Sequence, residues 1–537
     1  MSCNSEKLNF IELFAGCGGL SLGLKSTGFK LVLANELSPM AAETYAFNFF
    51  DEDLSLWNDS NIPPKKTLWI SSSYPISELK SRLRENPFNF PKIKDGYSDL
   101  PSNGEIDGSL LVGSIVELNN WLRQNPSVLN KIKSSFGRGE VDLLSGGPPC
   151  QSFSMAGLRE KDSEKNSLPW EFATFAKHVK PKLILLENVS GILRPFTNAD
   201  GEKYFAWFEI SKAFAKIGYI PLCMHVNAKF VGVPQNRPRF ILLGVRSDLI
   251  LEIQKNSNFV EFELLGKSLK FFNKARTTAN LKLDDLHCWD LASLQNHSKL
   301  KDTFLSPLIS LNNPLSVEES IDDLRTDSLF NSKFKEYLKA TFKKVIKPRF
   351  LSNHEFRTNS DLVQRRFRIY QILNDLSTKS KKEISSILNG KSFDITHEAW
   401  LEISKFTFRT PIKKHYKFKS KDDFLKFIAS HKTKKRTQKA LVANQPAPAA
   451  LSIPDDACHY HMDQLRTLSV REMARIQSFP DNFEFRSKVT TGGKMRRFEV
   501  PQYTQVGNAV PPLLGRALGL VVQQMLTMAS AAPKHKI

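Results

Sequence analysis

The chain reads as an α/β fold built on a mostly parallel sheet, joined to a smaller basic domain. Three observations predict this. Over the first 250 residues, short apolar runs alternate with stretches whose apolar residues recur at helical spacing. The first of those runs opens directly into a glycine turn and a helix, FAGCGGLSLGL. Finally, residues 331–440 carry 28 Lys and Arg against 10 Asp and Glu, a local excess of 18 that accounts for most of the net charge of +21.

In chain order the expected strands are NFIELFA, KLVLANE, SLLVGSI, VDLLSGG, KLILLENV and RFILLGVR. Between them lie the helix-like GLSLGLKST, PMAAETYAFNFF, LPWEFATFAKHV and YFAWFEISKAFAKIGY. Alternation of this kind implies parallel pairing, helices on both faces and ligands at the carboxyl ends of the strands. Residues 51–106, rich in Ser, Pro, Asn and charge, interrupt the rhythm as an insertion. From about 250 to 440 the rhythm fades into basic, aromatic and helical segments, among them SLFNSKFKEYLKATFKK, LVQRRFRIYQILNDL and KEISSILNG. LVANQPAPAALSIPDD has the Pro and Ala content of a linker. The remainder, 460–537, returns to a compact pattern and ends in the apolar helix PLLGRALGLVVQQMLTMA.

Composition narrows the function classes. At 537 residues with 41% hydrophobic and 24% charged residues, the chain is an ordinary globular protein of two or more domains. No apolar run approaches the roughly 20 residues of a membrane span, and the first residues lack the pattern of a secretory signal. The six cysteines are sparse and irregularly spaced, as expected of reduced thiols in the cytoplasm. Cys288, Cys458, His459 and His461 fit no standard zinc spacing, and no metal is expected. The basic block is interleaved with aromatics, as in FKKVIKPRF, RRFRIY and KKHYKFKSKDDFLKF, which suits a polyanion and nucleic acid first.

Several residues sit where strand ends would expose them. Gly16, Gly18 and Gly19 let a backbone approach a ligand closely, and Glu36, ending the next strand, suits the hydroxyls of a ribose. Cys150 follows two glycines and two prolines in SGGPPCQSFS, a stiff frame for a thiol that must attack something. Glu187 and Asn188 close another apolar run, where the acid can serve proton transfer. Gln235, Arg237 and Arg239 alternate along an extended segment, which would aim all three to one side and let the arginines clamp a phosphate or polarise an oxygen. Each residue also has a plain structural explanation: a tight turn, a packing cysteine, a helix cap, charge on an edge strand. Their order along the chain is far more specific than any one of them.

Taken together, FAGCGG, GGPPCQSFS, ENV, PQNRPRF, LSVREMARIQSFPDNF and QYTQVGNAVPPLLGRALG resemble the cytosine-5 DNA methyltransferase family, in that family's order and at both ends of the chain. The resemblance implies a Rossmann-like S-adenosylmethionine-dependent methyltransferase that modifies carbon 5 of cytosine in double-stranded DNA. It implies a catalytic domain over 1–249, with insertion 51–106, a target-recognition domain and linker over 250–459, and a segment 460–537 that completes the catalytic domain. By the same likeness Cys150 is the nucleophile toward carbon 6, Glu187 contacts ring N3, and Arg239 with Arg237 stabilises the active-site loop and the cytosine oxygen. Phe14, Ala15, Gly16, Gly18 and Gly19 form the methionine side of the cofactor pocket, Glu36 holds the ribose, Leu168 lies against the cofactor, and Asn508 and Val510 close the site. Two positions depart from the pattern. Ser114, followed by Ile115, stands where the family keeps an acid toward adenine, and Leu37 stands where an aromatic often stacks. The resemblance further implies a bacterial cytoplasmic monomer, paired with a restriction endonuclease that acts on the same site without a stable complex. A tRNA cytosine methyltransferase and a catalytically silent DNA-binding protein are the other readings.

Overall fold

In the computed structural model, residues 8–56, 63–149, 167–197, 203–278, 280–328, 330–433, 438–449 and 451–531 are described. The strands are β1 (Asn9–Leu13), β2 (Lys30–Glu36), β3 (Thr67–Trp69), β4 (Ser109–Val112), β5 (Leu143–Gly146), β6 (Leu183–Val189), β7 (Phe196–Thr197), β8 (Lys203–Tyr204), β9 (Tyr219–Asn227), β10 (Pro238–Arg246), β11 (Cys288–Asp290), and β12 (Lys439–Ala440) and β13 (Ala457–Cys458), which pair with each other in parallel. Nine of them form one sheet in the order β11-β9-β10-β6-β5-β1-β2-β4-β3, while β7 and β8 form a separate antiparallel pair. The order reverses at β1, which lies between β2 and β5. The carboxyl ends of β1 and β5 therefore flank the switch point, where an open α/β sheet leaves a crevice.

All neighbours in the sheet are parallel except β10, which is antiparallel to both β6 and β9. RFILLGVR thus forms a strand but runs against the expected direction. The reason is local. Only residues 228–237 separate β9 from β10, with a single turn Ala228–Val231 in between, too short for the crossover a parallel strand needs. Residues 51–106 are more than an excursion, because they supply edge strand β3. Trp69 there is fully buried, stacked by the Arg82 guanidinium at 5.4 Å, and Arg82 pairs with Asp99 at 2.6 Å.

The two ends of the chain meet. Helix Gly19–Ser26 crosses helix Pro512–Ser530, and a Cβ on Gly23 would overlap the Gly515 backbone. The helices touch backbone to backbone, which only glycine permits. Leu514, Leu518, Val521, Val522 and Met525 join Leu20, Leu22 and Leu24 in the main core.

That core runs on through Ile346 and resumes at Leu441, whereas a second, smaller core spans Phe367 to Ile428 with Ala440 and Cys458. The boundary expected near 250 therefore falls inside the main body. Helix Phe259–Thr277 packs on β9, and β11 adds a parallel edge strand to it. The strand–helix rhythm fades after 250 because one long helix and one three-residue strand wrap the far edge of the sheet. The smaller unit is built from helices Asp361–Asn374, Thr378–Leu388, His397–Ile403 and Lys421–Ala429. Among the described residues, no single helix is long and apolar enough to cross a membrane.

Candidate active site

One side of the crevice begins where β1 ends. Phe14 takes a left-handed conformation (φ 56°), which costs a bulky residue about 1–2 kcal/mol, and Gly16 follows at φ 57°. The turn is held by its neighbour strand: the Ala15 amide donates to the Asn35 carbonyl at 2.9 Å. Glu36 accepts the Gly16 amide at 2.8 Å on one carboxylate oxygen and the Ser38 amide at 2.7 Å on the other. Burial pushes its carboxyl up, while those amides pull it back. Each oxygen keeps a further lone pair for a hydroxyl donor.

The same rim continues to β4. The Asn35 side-chain amide donates to the carbonyls of Leu111 (2.9 Å) and Gly113 (3.0 Å), and the Gly113 amide donates to the Glu36 carbonyl at 2.9 Å. Ser114 caps helix Ile115–Gln124, its hydroxyl accepting the Val116 amide at 3.2 Å; Ile115 is buried beneath it. That leaves the Ser114 hydroxyl proton as a donor, where a carboxylate would only accept. Phe14, Gly16, Glu36, Leu37 and Ser114 are half-exposed, while the strand residues just before them are buried. Together they form an open rim along β1, β2 and β4. Leu168, first residue of helix Leu168–Val179, packs half-buried against the main core.

The C-terminal segment closes the rim from behind. A Cβ on Gly18 would overlap the Phe49 ring, and one on Gly19 the Val510 carbonyl oxygen, so residues 509–511 press directly on the turn. Asn508 ends helix Gln502–Asn508 and is exposed. Gln505, three residues earlier, was not singled out from the sequence. Its amide nitrogen donates to the carbonyls of Met40, Arg486 and Val500, and its oxygen accepts Thr44 Oγ1 at 2.6 Å. Its place in the QVGNAVPP motif, one helical turn from Asn508, was the available signal.

The other side of the crevice starts at β5. Gly146 is buried, and a Cβ on Gly147 would lie 3.0 Å from Glu187 Oε2. Asn188 Nδ2 donates to the Pro148 carbonyl at 3.1 Å. Glu187 and Asn188 end the long buried strand β6, so both reach the segment that leads to Cys150. Cys150 itself lies outside the described residues. Because β10 is antiparallel, its first residues arrive at the same edge where the parallel strands end. Arg239 pairs opposite Val189 in the ladder, and its Nε sits 2.7 Å from Glu187 Oε1, both side chains about 10% exposed.

Arg237 goes elsewhere. Its guanidinium donates to the carbonyls of Gly507 (2.7 Å), Ala509 (3.0 Å) and Ala449 (3.4 Å), and Gln235 Nε2 donates to Pro448 (2.8 Å). The expected common direction of Gln235, Arg237 and Arg239 does not hold, because the first two precede β10 and two-residue alternation starts only with the strand. The four described cysteines are poor nucleophiles. Burial pushes up the thiols of Cys17, Cys223 and Cys458, and that of Cys288 to about 12. Among the described residues no three His, Cys, Asp or Glu side chains gather to hold a metal.

A family model described as C-5 cytosine-specific DNA methylase matches residues 8–75 and 120–524. The chain belongs to that family. Similar proteins include three type II methyltransferases. M.DdeI of Desulfomicrobium norvegicum is 25% identical over 95% of this chain and 87% of its own length. M1.HphI of Haemophilus parahaemolyticus is 24% identical over 97% and 88%. M.Bpa9945I of Bacillus paralicheniformis is 26% identical over 96% and 98%.

This cytosine-5 DNA methylase takes its methyl group from S-adenosylmethionine. The rim fits that cofactor: an acceptor pair at Glu36 for the ribose, an open Gly16 with nothing near its missing Cβ, and a half-exposed Leu37 as an apolar face. The family model leaves residues 76–119 unmatched, a stretch that includes Arg82, Asp99, β4 and Ser114.

Proposed function

We propose that Cys150 is the nucleophile of this methylase and that Glu187 and Arg239 prepare the cytosine for it. The observation that carries this reading is the 2.7 Å Glu187–Arg239 pair standing beside Gly147, three residues before Cys150. Carbon 5 of cytosine is a weak nucleophile. Addition of the Cys150 thiolate to carbon 6 gives carbon 5 the character of an enamine carbon. Glu187 meets ring N3 and stabilises a proton there as electron density moves onto the ring. Arg239 holds Glu187 in place and faces the cytosine oxygen. S-adenosylmethionine supplies an electrophilic methyl group on a sulfonium sulfur. Phe14, Ala15, Gly16, Gly18, Gly19, Glu36, Leu37, Ser114, Ile115 and Leu168 would hold it. Asn508 and Val510 would close over it, with Arg237 anchoring their backbone. Loss of the carbon 5 proton then lets the Cys150 sulfur leave.

A base inside a stacked duplex is out of reach, so it swings out at a cost of a few kcal/mol. The basic unit, residues 361–433, offsets that cost through phosphate contacts and reads the sequence, with the rest of 250–459 serving as scaffold and linker. The similarity to type II methyltransferases supports a role in protecting DNA from a cognate restriction endonuclease in the bacterial cytoplasm. The methylase acts as a monomer and forms no stable complex with that enzyme.

Incubation with a duplex carrying 5-fluorocytosine at the target tests the chemistry, because fluorine at carbon 5 cannot leave as a proton does. A covalent adduct mapping to Cys150 is expected. Continued methylation of ordinary DNA with no adduct at that thiol would overturn the assignment.

A further inference from the structure

A cationic hairpin with an apolar tip projects from the smaller unit. Phe408 and Tyr416 exchange backbone hydrogen bonds of 2.8 Å each way. The Phe408 and Phe418 rings pack on each other and on Phe424 and Phe427, and the Tyr416 ring packs on Phe418, with ring centroids 5.0–5.8 Å apart, so the hairpin base is anchored in an aromatic cluster. Beyond it the chain turns at Thr410–Lys413. The Thr410 amide donates to the Lys413 carbonyl at 2.9 Å, and the Lys413 amide to Thr410 Oγ1 at 3.0 Å. The tip carries Ile412, 91% exposed, where a turn normally places Gly, Asn, Asp or Ser.

The surroundings define the partner. Lys413, Lys414, Lys417 and Lys419 are exposed and pair with no carboxylate among the described residues, whereas Arg409 is engaged by Asp361 at 3.1 Å. Four ammonium groups along one hairpin, with no carboxylate partner among the described residues and with Lys413 lying over the Tyr416 ring at 5.6 Å, suit a polyanion that also offers apolar edges, which is the wall and floor of a DNA groove. A two-stranded ribbon fits the major groove, roughly 12 Å wide. The hairpin is also placed to reach it. Asp361, at the start of helix Asp361–Asn374, holds Arg409. Near the other end, Gln371 and Asn374 bind the backbone of 459, 461, 440 and 441, where the unit joins the main body. Ten residues of helix carry the hairpin about 15 Å out from that junction.

We propose that residues 409–415 enter the DNA groove, that Ile412 makes an apolar contact with bases there, and that Lys413 and Lys414 hold the flanking phosphates. Ile412 is then a specificity-determining residue. The proposal rests on the reading that the basic unit recognises the target. The full-length protein tests it with two probes: a short duplex bearing the site that bisulfite sequencing identifies as methylated, and the same duplex scrambled. Ile412→Ser should weaken binding to the site duplex by about tenfold, with the scrambled duplex, S-adenosylmethionine binding and Tm unchanged. The double variant Lys413→Gln/Lys414→Gln should weaken both duplexes alike and flatten the salt dependence by about two phosphates' worth. Full discrimination retained by Ile412→Ser would overturn the hairpin assignment alone. A wild-type protein that binds both duplexes alike would overturn the recognition reading, and this one with it.

Discussion

Two carboxylates at the centre of the molecule have opposite fates. Glu187 is shielded but shares Arg239 and lies against the chain leading to Cys150. Replacing it by Gln keeps the shape, removes the charge, and leaves Arg239 buried without its partner. We expect kcat to fall by roughly 10²- to 10⁴-fold, the range for a lost proton-handling group, while S-adenosylmethionine binding holds. Single-turnover methylation checks this, and a kcat within threefold of wild type would remove Glu187 from the chemistry. Glu12, in the middle of β1, is fully enclosed and accepts the Ser21 hydroxyl, which also bonds the Tyr45 hydroxyl at 2.8 Å. Burial pushes its carboxyl up to about 8, the Ser21 bond opposing. The folded chain keeps this proton through neutral pH, while the unfolded chain releases it above the ordinary value of 4.5. Folding stability from this site therefore declines as pH rises from about 4.5 to 8, and levels off beyond. Glu12→Gln should match wild type in urea midpoint near pH 5 and exceed it by pH 8. Midpoints that stay parallel across that range would show that Glu12 is ionised in the fold.

The elements around the site are fitted by what glycine leaves out. Gly19 opens the helix after the cofactor turn, and the Val510 carbonyl occupies the space of its absent Cβ. Gly19→Ala should displace residues 509–511 and weaken S-adenosylmethionine binding by about tenfold or more. Calorimetry would read this, and unchanged affinity would show that the C-terminal segment does not close the pocket. Much of this level was legible beforehand. β1, β2, β4, β5, β6 and β10 each appear as a buried apolar run, because a strand covered on both faces has no polar alternation to hide it. Glu36, Glu187 and Arg239 could be placed because strand ends in such a sheet share one edge. The strand β9 escaped notice: YIPLCMHVN carries a Pro and a His and has no helix after it to complete a βα unit. The direction of Arg237 escaped too, since its partners at 449, 507 and 509 lie more than 200 residues away. Pairings of that range come from topology, and local pattern carries no trace of them.

At the scale of the whole molecule, charge and chemistry are separated. The basic unit has its own core and meets the main body through residues 343–360, 438–447 and 458–466. The first of these is tightly moored: Arg349 donates to the Phe47 carbonyl at 3.0 Å, Asn353 to Phe485 at 2.9 Å, and His354 contacts Ser469 Oγ at 2.8 Å. The rim proposed to hold the cofactor is tied by short hydrogen bonds among backbone, Asn35 and Glu36, which salt does not screen strongly. The two binding steps should therefore respond to ionic strength in different ways. If the basic unit neutralises about five phosphates, affinity for duplex DNA falls roughly 10²- to 10³-fold between 50 and 200 mM salt. S-adenosylmethionine affinity should scarcely move. In steady state this appears as a KM for DNA that climbs steeply with salt while kcat at saturating DNA is retained, because the chemical step occurs in a crevice whose geometry the salt leaves alone. A kcat that falls in parallel with DNA affinity would mean that the basic unit does more than hold the duplex, and that its contacts with the main body carry DNA engagement into the placement of Glu187 and Arg239.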